Sequence, residues 1–354
     1  NPAVGRAALS TLSRMDVPLG DSAAAIVNML QNTDRKSQVT AAAVLAGMGN
    51  ELDRQIPEII SLLKHNNPKF RSSALYIFSE MGEPSRKYAP QLAELLGDRN
   101  PAVRIIGLKA LGGMGKFADG EIQNVTRLLK DPDVHVRAEA ATTLGKTGSG
   151  SKEILDTLSG LLEDKSSEIR LSAVGAIARL SGHPRIRAER IASMLGDEKP
   201  AVRNLAAIAL GELGPDASSQ APRLVAYIKT LDDANRSEIT PLSLALESLG
   251  SMGPAASGEA GTVARMLYAN RDYVRMTARK TLREIGPFSP DIIPLILGAT
   301  YSEPKAATDT RLLVYFAEPP DDSLLAAIKW AGIGGEKIRA DLDKTPARQV
   351  LADY

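Results

Sequence analysis

The chain has 354 residues, 44% of them hydrophobic and only 4% aromatic, and its 43 Lys and Arg balance 42 Asp and Glu. That length would serve two or three globular cores, but the neutral balance offers no overall basic field to nucleic acid or an anionic membrane. The absence of cysteine removes disulfides, thiolate metal sites and cysteine nucleophiles, and no apolar run approaches the ~18–20 residues of a membrane span.

The chain opens on Asn1-Pro2-Ala3-Val4, which reads as an intact helix start with no visible signal peptide. Ala8, Leu9, Leu12 and Met15 then follow as ordinary core residues, yet no helix precedes them to cover that face. The expectation is either further repeats upstream or another molecule stacked on this end, with self-association of the isolated chain.

The best-marked stretch is Asn100–Gly115. Asn100 suits an N-cap, Pro101 suits the first helical position, and Gly115 suits the left-handed residue that ends a helix. Val103, Gly107, Leu108, Leu111 and Met114 share one face. Arg104 recurs at Arg71, Arg137, Arg170 and Arg203, each 33 residues from the next, and these serve as frame positions. Gly5 and Gln38 precede them in the same frame; six extra residues then intervene, and it resumes at Leu242, Arg275 and Thr308.

Seven positions after the frame residue, every occupant is apolar, from Leu12 through Leu111 to Tyr315. Three positions after it, Ala or Gly stands in nine of ten repeats, from Ala8 through Gly107 to Ala278, which predicts a close helix crossing. Glycines at Gly49, Gly82, Gly115, Gly148, Gly214, Gly253 and Gly286 are expected to end these helices. A second helix per repeat is written in stripes such as Ile59-Leu62-Leu63, Leu92-Leu95-Leu96 and Leu158-Leu161-Leu162. Pro57, Pro90, Pro222 and Pro294 fall near its start, and Asp98, Asp131, Asp164 and Asp197 near its end.

Thr230–Pro241 carries the six additional residues and predicts a longer loop or an extended helix, with the next helix start displaced by Pro241. Towards the C-terminus Arg311, Glu318 and Pro319 occupy core or turn columns, so residues 317–354, including Ser323–Trp330 and Glu336–Leu342, are expected to cap the stack.

Asp131–Gly145, reading Asp-Pro-Asp-Val-His-Val-Arg-Ala-Glu-Ala-Ala-Thr-Thr-Leu-Gly, resembles the HEAT-repeat family, in particular the short HEAT-like repeats of bacteria and of bilin lyases. The marks are the proline, the Asp or Asn before the helix, and the Val-Arg pair. The resemblance covers residues 1–316 and implies an all-α, right-handed α-solenoid of about ten two-helix repeats. It also implies a non-enzymatic protein-interaction scaffold. The alternatives are a HEAT-like enzyme or accessory, such as a bilin lyase or a DNA-glycosylase-like nucleic-acid binder, and an assembly subunit that stacks through its ends.

Arg71, Arg104, Arg137, Arg170, Arg203 and Arg275 form a column that can bind phosphate or brace the stack; balanced charge and scarce aromatics favour a structural ladder with the turn aspartates. His65, His135 and His183 are isolated, without zinc-ligand spacing, and Gly145-Lys146-Thr147 lacks the strand and the earlier glycine of a phosphate loop. Met48, Met81, Met114 and Met252 read as core. No catalytic residue, metal or cofactor is expected. On the face that in this family is concave, Tyr76, Ile106, Lys109, Leu205 and Ile208 stand out among polar neighbours and are the candidates for binding a protein partner. No nucleic acid is expected as partner. A cytoplasmic location fits, and so does an extracytoplasmic one, given no cysteine and an Asn at position 1.

Overall fold

The computed structural model describes residues 26–27, 35–48, 52–147, 150–233, 239–269, 271–286, 292 and 295. Among the described residues the regular structure is helical throughout, with no strand. The residues assigned above to an uncovered N-terminal end and to a C-terminal cap lie outside this set, as do the frame positions Gly5 and Thr308.

The chain divides into two compact units, one ending at Gly182 and one starting at His183. In the first, long frame-bearing helices alternate with short return helices. The long ones are α1 (Arg35–Met48), α3 (Pro68–Glu80), α5 (Pro101–Met114), α7 (Val134–Thr147) and α9 (Ser167–Arg179). The return helices are α2 (Ile56–Leu63), α4 (Ala89–Ala93), α6 (Ile122–Arg127) and α8 (Lys152–Gly160). In the second unit the return helices are α10 (Pro184–Ser193), α12 (Ala221–Asp233) and α14 (Ala260–Arg265). They alternate with the long helices α11 (Pro200–Leu213), α13 (Ile239–Ser251) and α15 (Asp272–Ile285). Within each unit every long helix packs against the next long helix, and return helices cover one side of that stack.

Local chemistry sets the ends. Asn100 Oδ1 accepts the Ala102 N–H at 2.9 Å and caps α5, with Pro101 as its first residue. Gly82, Gly115 and Gly214 end their helices at φ 62, 56 and 58°, as the spacing predicts, but with ψ of −134, −131 and −133°. That is the first central position of a type II′ turn rather than the left-handed helical region, and only glycine enters it freely. The chain then runs into a 3₁₀ turn, such as Gly115–Glu121, before the return helix. Gly286 differs from expectation: at φ −59° and ψ 158° it is ordinary extended backbone. Gly49 and Gly148 lie outside the described residues.

The inner column is closed. Leu45, Phe78, Leu111, Leu144, Ile177, Leu210, Leu249 and Leu282 are all at 0% exposure. Burying each such side chain contributes roughly 1.5–3 kcal/mol. The small column three positions after the frame residue meets the preceding return helix: a Cβ on Gly107 would lie 2.8 Å from Leu95 Cβ. Met48, Met81, Met114 and Met252 are buried, as their spacing predicts.

A second small seam, six and eight positions after the frame residue, was not evident in the column pattern. It lies between successive long helices. A Cβ on Gly145 would fall 2.5 Å from Ala176 Cα, and one on Gly211 2.8 Å from Ser248 Cα. Close approach lets hydroxyls bridge the helices: Thr143 Oγ1 donates to Leu108 O at 3.0 Å, and Thr281 Oγ1 to Leu246 O at 2.9 Å.

The insertion is absorbed partly in α12. It runs as regular helix through Ala221–Asp233, where α4 gives way to a 3₁₀ turn after Ala93. Helix α13 is already formed at Ile239, three residues before Leu242, so Pro241 does not displace its start. The reason is that first-turn N–H groups have no partner within the helix, so a proline there removes nothing.

Gly145→Ala, which drives a methyl into Ala176, should destabilise the protein by ~1–3 kcal/mol through overpacking, less the ~0.5–1 kcal/mol gained from helix propensity. Gly160→Ala, where nothing lies within 4 Å, should be neutral or stabilising. Thermal unfolding of the two variants checks the seam; equal melting temperatures would refute it.

Candidate functional site

The arginine column faces main-chain oxygens. Arg104 Nη1 donates to Asp98 O at 2.8 Å and Arg99 O at 3.2 Å. Arg137 reaches Asp131 O (2.8 Å), Arg170 reaches Asp164 O (2.9 Å) and Arg203 reaches Asp197 O (2.8 Å) in the same way. Arg71 takes His65 O at 2.7 Å, and Arg275 takes Ala269 O at 2.7 Å. The acceptor stands six residues back each time, at the end of the return helix, where carbonyls lack partners and the helix dipole is negative.

The spacing predicts a pairing with the turn aspartate, and the residue is the expected one, but the acceptor is its carbonyl. The carboxylate turns back on its own loop: Asp98, Asp131, Asp164 and Asp197 Oδ1 accept the N–H two residues on, at 2.8–2.9 Å. Arg104 adds a bridge to the next repeat, its Nη2 lying 2.8 Å from Asp131 Oδ1, with side-chain exposures of 12% and 5%. Burial opposes ionisation of Asp131, but the hydrogen bonds from Arg104 and from the Asp133 N–H outweigh it and hold the carboxyl below its ordinary value.

His65, His135 and His183 are exposed. His135 Nδ1 lies 2.8 Å from Glu168 Oε1, at the same place in the next repeat. The Glu168 hydrogen bond raises the His135 pKa above 6.5. Among the described residues no group of three or more His, Asp or Glu could hold a metal ion, and no helix is long and apolar enough to cross a membrane.

A cleft of about 550 Å³ lies in the first unit, lined by Ile56, Pro57, Asp53, Lys87, Tyr88 and Glu94 among others. Column patterns did not reveal it, because Asp53 and Tyr88 stand 35 residues apart rather than 33. Lys87 Nζ is 2.5 Å from Asp53 Oδ1 and 5.1 Å from the Tyr88 ring centroid, and the Tyr88 hydroxyl donates to the same carboxylate. Hydrogen bonds from Lys87 and Tyr88 lower the Asp53 pKa, while burial, then Asp53, raises that of Tyr88. Tyr88 therefore stays protonated and Asp53 ionised, a mutually satisfied set rather than an acid–base pair poised near neutrality.

The partner-binding candidates fall in both units. In the first, Tyr76 is 37% exposed, Lys109 is exposed and Ile106 is half-buried. In the second, Leu205 and Ile208 are half-buried. Sequence columns did not mark Tyr268, Tyr273 and Met276, which are 46%, 54% and 61% exposed.

Arg104→Ala should destabilise by ~2–3 kcal/mol, the scale of charge-assisted hydrogen bonds, because it strands the Asp98 carbonyl and leaves Asp131 buried without its partner. Denaturant unfolding measures this; an unchanged midpoint would show that the clamp carries no load. For His135 the raised folded pKa means that its pairing stabilises fully below the unfolded value of 6.5 and fades as pH rises through the folded value. An NMR titration should place His135 above 6.5, and Glu168→Gln should bring it down.

HEAT repeats match residues 56–134, 89–178 and 154–241, which together span more than half of the chain. No curated protein matches it. The crystal structure of an engineered protein is similar over 94% of this chain and 97% of its own, at 18% identity and a TM-score of 0.50. That of a second engineered protein covers 75% of this chain and 96% of its own, at 19% identity and a TM-score of 0.35. The first likeness is one of fold alone. HEAT solenoids generally mediate protein interactions and are typically non-catalytic, and by the matched repeats, with the stacked helix pairs and their arginine clamps, this chain belongs to the HEAT-repeat family.

Proposed function

We propose that the chain is a non-enzymatic scaffold whose long helices present a protein-binding face. The observation that supports this best is the division of labour on those helices. The column seven positions after the frame residue and the two small columns are consumed by packing, whereas Tyr76 and Lys109 face solvent from neighbouring repeats beside a half-buried Ile106. An aromatic, an aliphatic and a cation together make the kind of centre on which protein partners are anchored. Leu205 and Ile208 form a separate, less exposed candidate spot in the second unit. Among the described residues, Lys87 and Tyr88 hold Asp53 and Arg104 holds Asp131, so neither carboxylate is poised as half of an acid–base pair. In this proposal the repeats extend over residues 1–316 as a right-handed solenoid of about ten units, and 317–354 cap it.

Affinity purification with the full chain and with a Tyr76→Ala, Lys109→Glu variant tests the surface. The variant should fold normally and lose at least ~10-fold of its principal partner, since each hot-spot truncation removes ~1–2 kcal/mol or more. An unchanged set of retained proteins would remove these residues from the interface. Salt-dependent binding to duplex DNA that falls on Arg137→Ala would favour the nucleic-acid alternative instead.

A further inference from the structure

The return helices turn their positions 21, 24 and 25 after the frame residue inward, as with Ile191, Leu224 and Val263 at 0–1% exposure. Positions 15, 19, 20, 23 and 26 lie on the opposite face and its flank. In the first unit these outer columns mix both signs. Glu94 and Arg127 follow one another in one column, Lys130 and Glu163 in another, and Glu58 stands in a third. In α10, α12 and α14 of the second unit the same columns hold Arg185, Arg190, Arg223, Lys229 and Arg265, all exposed, against Glu189 alone. Each repeat is two helices deep and its neighbours lie along the stack, so the stack itself places nothing over this side.

Among the described residues none of these five cations enters an ion pair, whereas Lys87, Arg104 and Lys152 of the first unit each hold a carboxylate. The exposed Asp216 and Asp232 stand off these columns and leave the balance positive. A chain of balanced charge has thus gathered unpaired cations on one side of one unit. Between them lie Ser193, Pro222, Ala226 and Gly261, short side chains that form no apolar pocket. Tyr268, the aromatic of these columns, is engaged through its hydroxyl, which donates to Leu295 O at 2.8 Å. Affinity here comes from guanidinium forks, each of which matches a carboxylate through two parallel hydrogen bonds. Arg190 and Arg223 hold the same position in successive repeats, which sets them ~8–10 Å apart, the distance between packed helices. Three residues of an extended chain span about 10 Å. Arg265 continues the row one repeat on, three positions further along its helix.

We propose that the return-helix side of the second unit, built on Arg190, Arg223 and Arg265, binds an extended acidic segment of a partner protein with a carboxylate at about every third residue. An acidic segment fits because the cations are unpaired, and an extended one because its third residues keep step with the repeats. Nucleic acid is disfavoured, since the face has no platform on which bases stack and the chain no net positive field. This surface is separate from that of Tyr76 and Lys109 and does not depend on it.

The probe is a fluorescein-labelled peptide of ~12 residues, glutamate at every third position and glycine and serine between, titrated with the full chain by anisotropy. One control carries glutamine for glutamate; another gathers the same glutamates at one end. The spaced peptide should bind at least ~3-fold more tightly than the gathered one and ~10-fold more tightly than the glutamine one, and weaken with salt. Arg190→Glu combined with Arg223→Glu should weaken it by at least ~10-fold, keep the wild-type circular dichroism, and gain affinity for a lysine-spaced peptide. The Tyr76→Ala, Lys109→Glu variant should bind it as the wild type does.

Equal binding of either control peptide, or binding indifferent to the double reversal, overturns the proposal. So does DNA that displaces the spaced peptide at lower concentration and is itself lost in the double variant. The chain's own Asp321 and Asp322 are acidic too. A carbodiimide cross-link from Lys229 to either of them within one free molecule would make that segment the occupant and likewise overturn it. Loss of partners through Tyr76 and Lys109, with no binding of the spaced peptide, would leave the scaffold reading standing and this inference alone refuted.

Discussion

A guanidinium laid over the last carbonyls of the preceding helix is the contact on which each repeat depends. Return helices here are too short to hold themselves: α4 has five residues and α6 has six. Isolated helices of that length do not form in water, so their order comes from what their ends and faces touch. The arginine supplies a donor where the helix has orphan acceptors and positive charge where its dipole is negative. It also fixes the angle at which the chain enters the next long helix. The aspartate beside it is thereby released to brace the turn through its carboxylate, and the two residues divide one turn between them.

This accounts for the regularity of the arginines. A line of cations invites a phosphate reading. Yet each guanidinium is committed to main-chain oxygens, and Arg104 also to Asp131, with both side chains of that pair largely withdrawn from solvent. The overall near-balance of charge points the same way.

Much of the fold was legible in the sequence because stacking repeats one environment many times. The leucine column seven after the frame residue, the small column at three and the prolines opening the return helices all recur at 33 residues and appear when the chain is cut at that period. The seam at positions six and eight was harder to see. Its occupants are Gly145 against Ala176 in one place, and Gly211 against Ser248 in another, with Thr143 and Thr281 bonding across. Position six ranges from Ala176 through Thr143 and Ser248 to Ile77, so it shares neither one size nor one hydropathy. The arginine acceptors were half legible: spacing named the residue, but could not say whether carboxylate or carbonyl would face the guanidinium. The Asp53–Lys87–Tyr88 set was invisible, since it joins neighbouring repeats at positions outside any shared column.

Candidate sites obey the opposite logic to the fold. In a repeat protein, a residue that satisfies its column is already spent on packing or on turn closure. Information about partners therefore sits where the column is broken without loss of the helix. Tyr76 breaks a polar face while α3 remains regular. Arg279 and Arg283 break the apolar and small columns of α15, which nonetheless runs unbroken from Asp272 to Ile285 with Leu282 fully buried. A helix that keeps its inward face and changes only its outward-stacking face has not lost its place in the core.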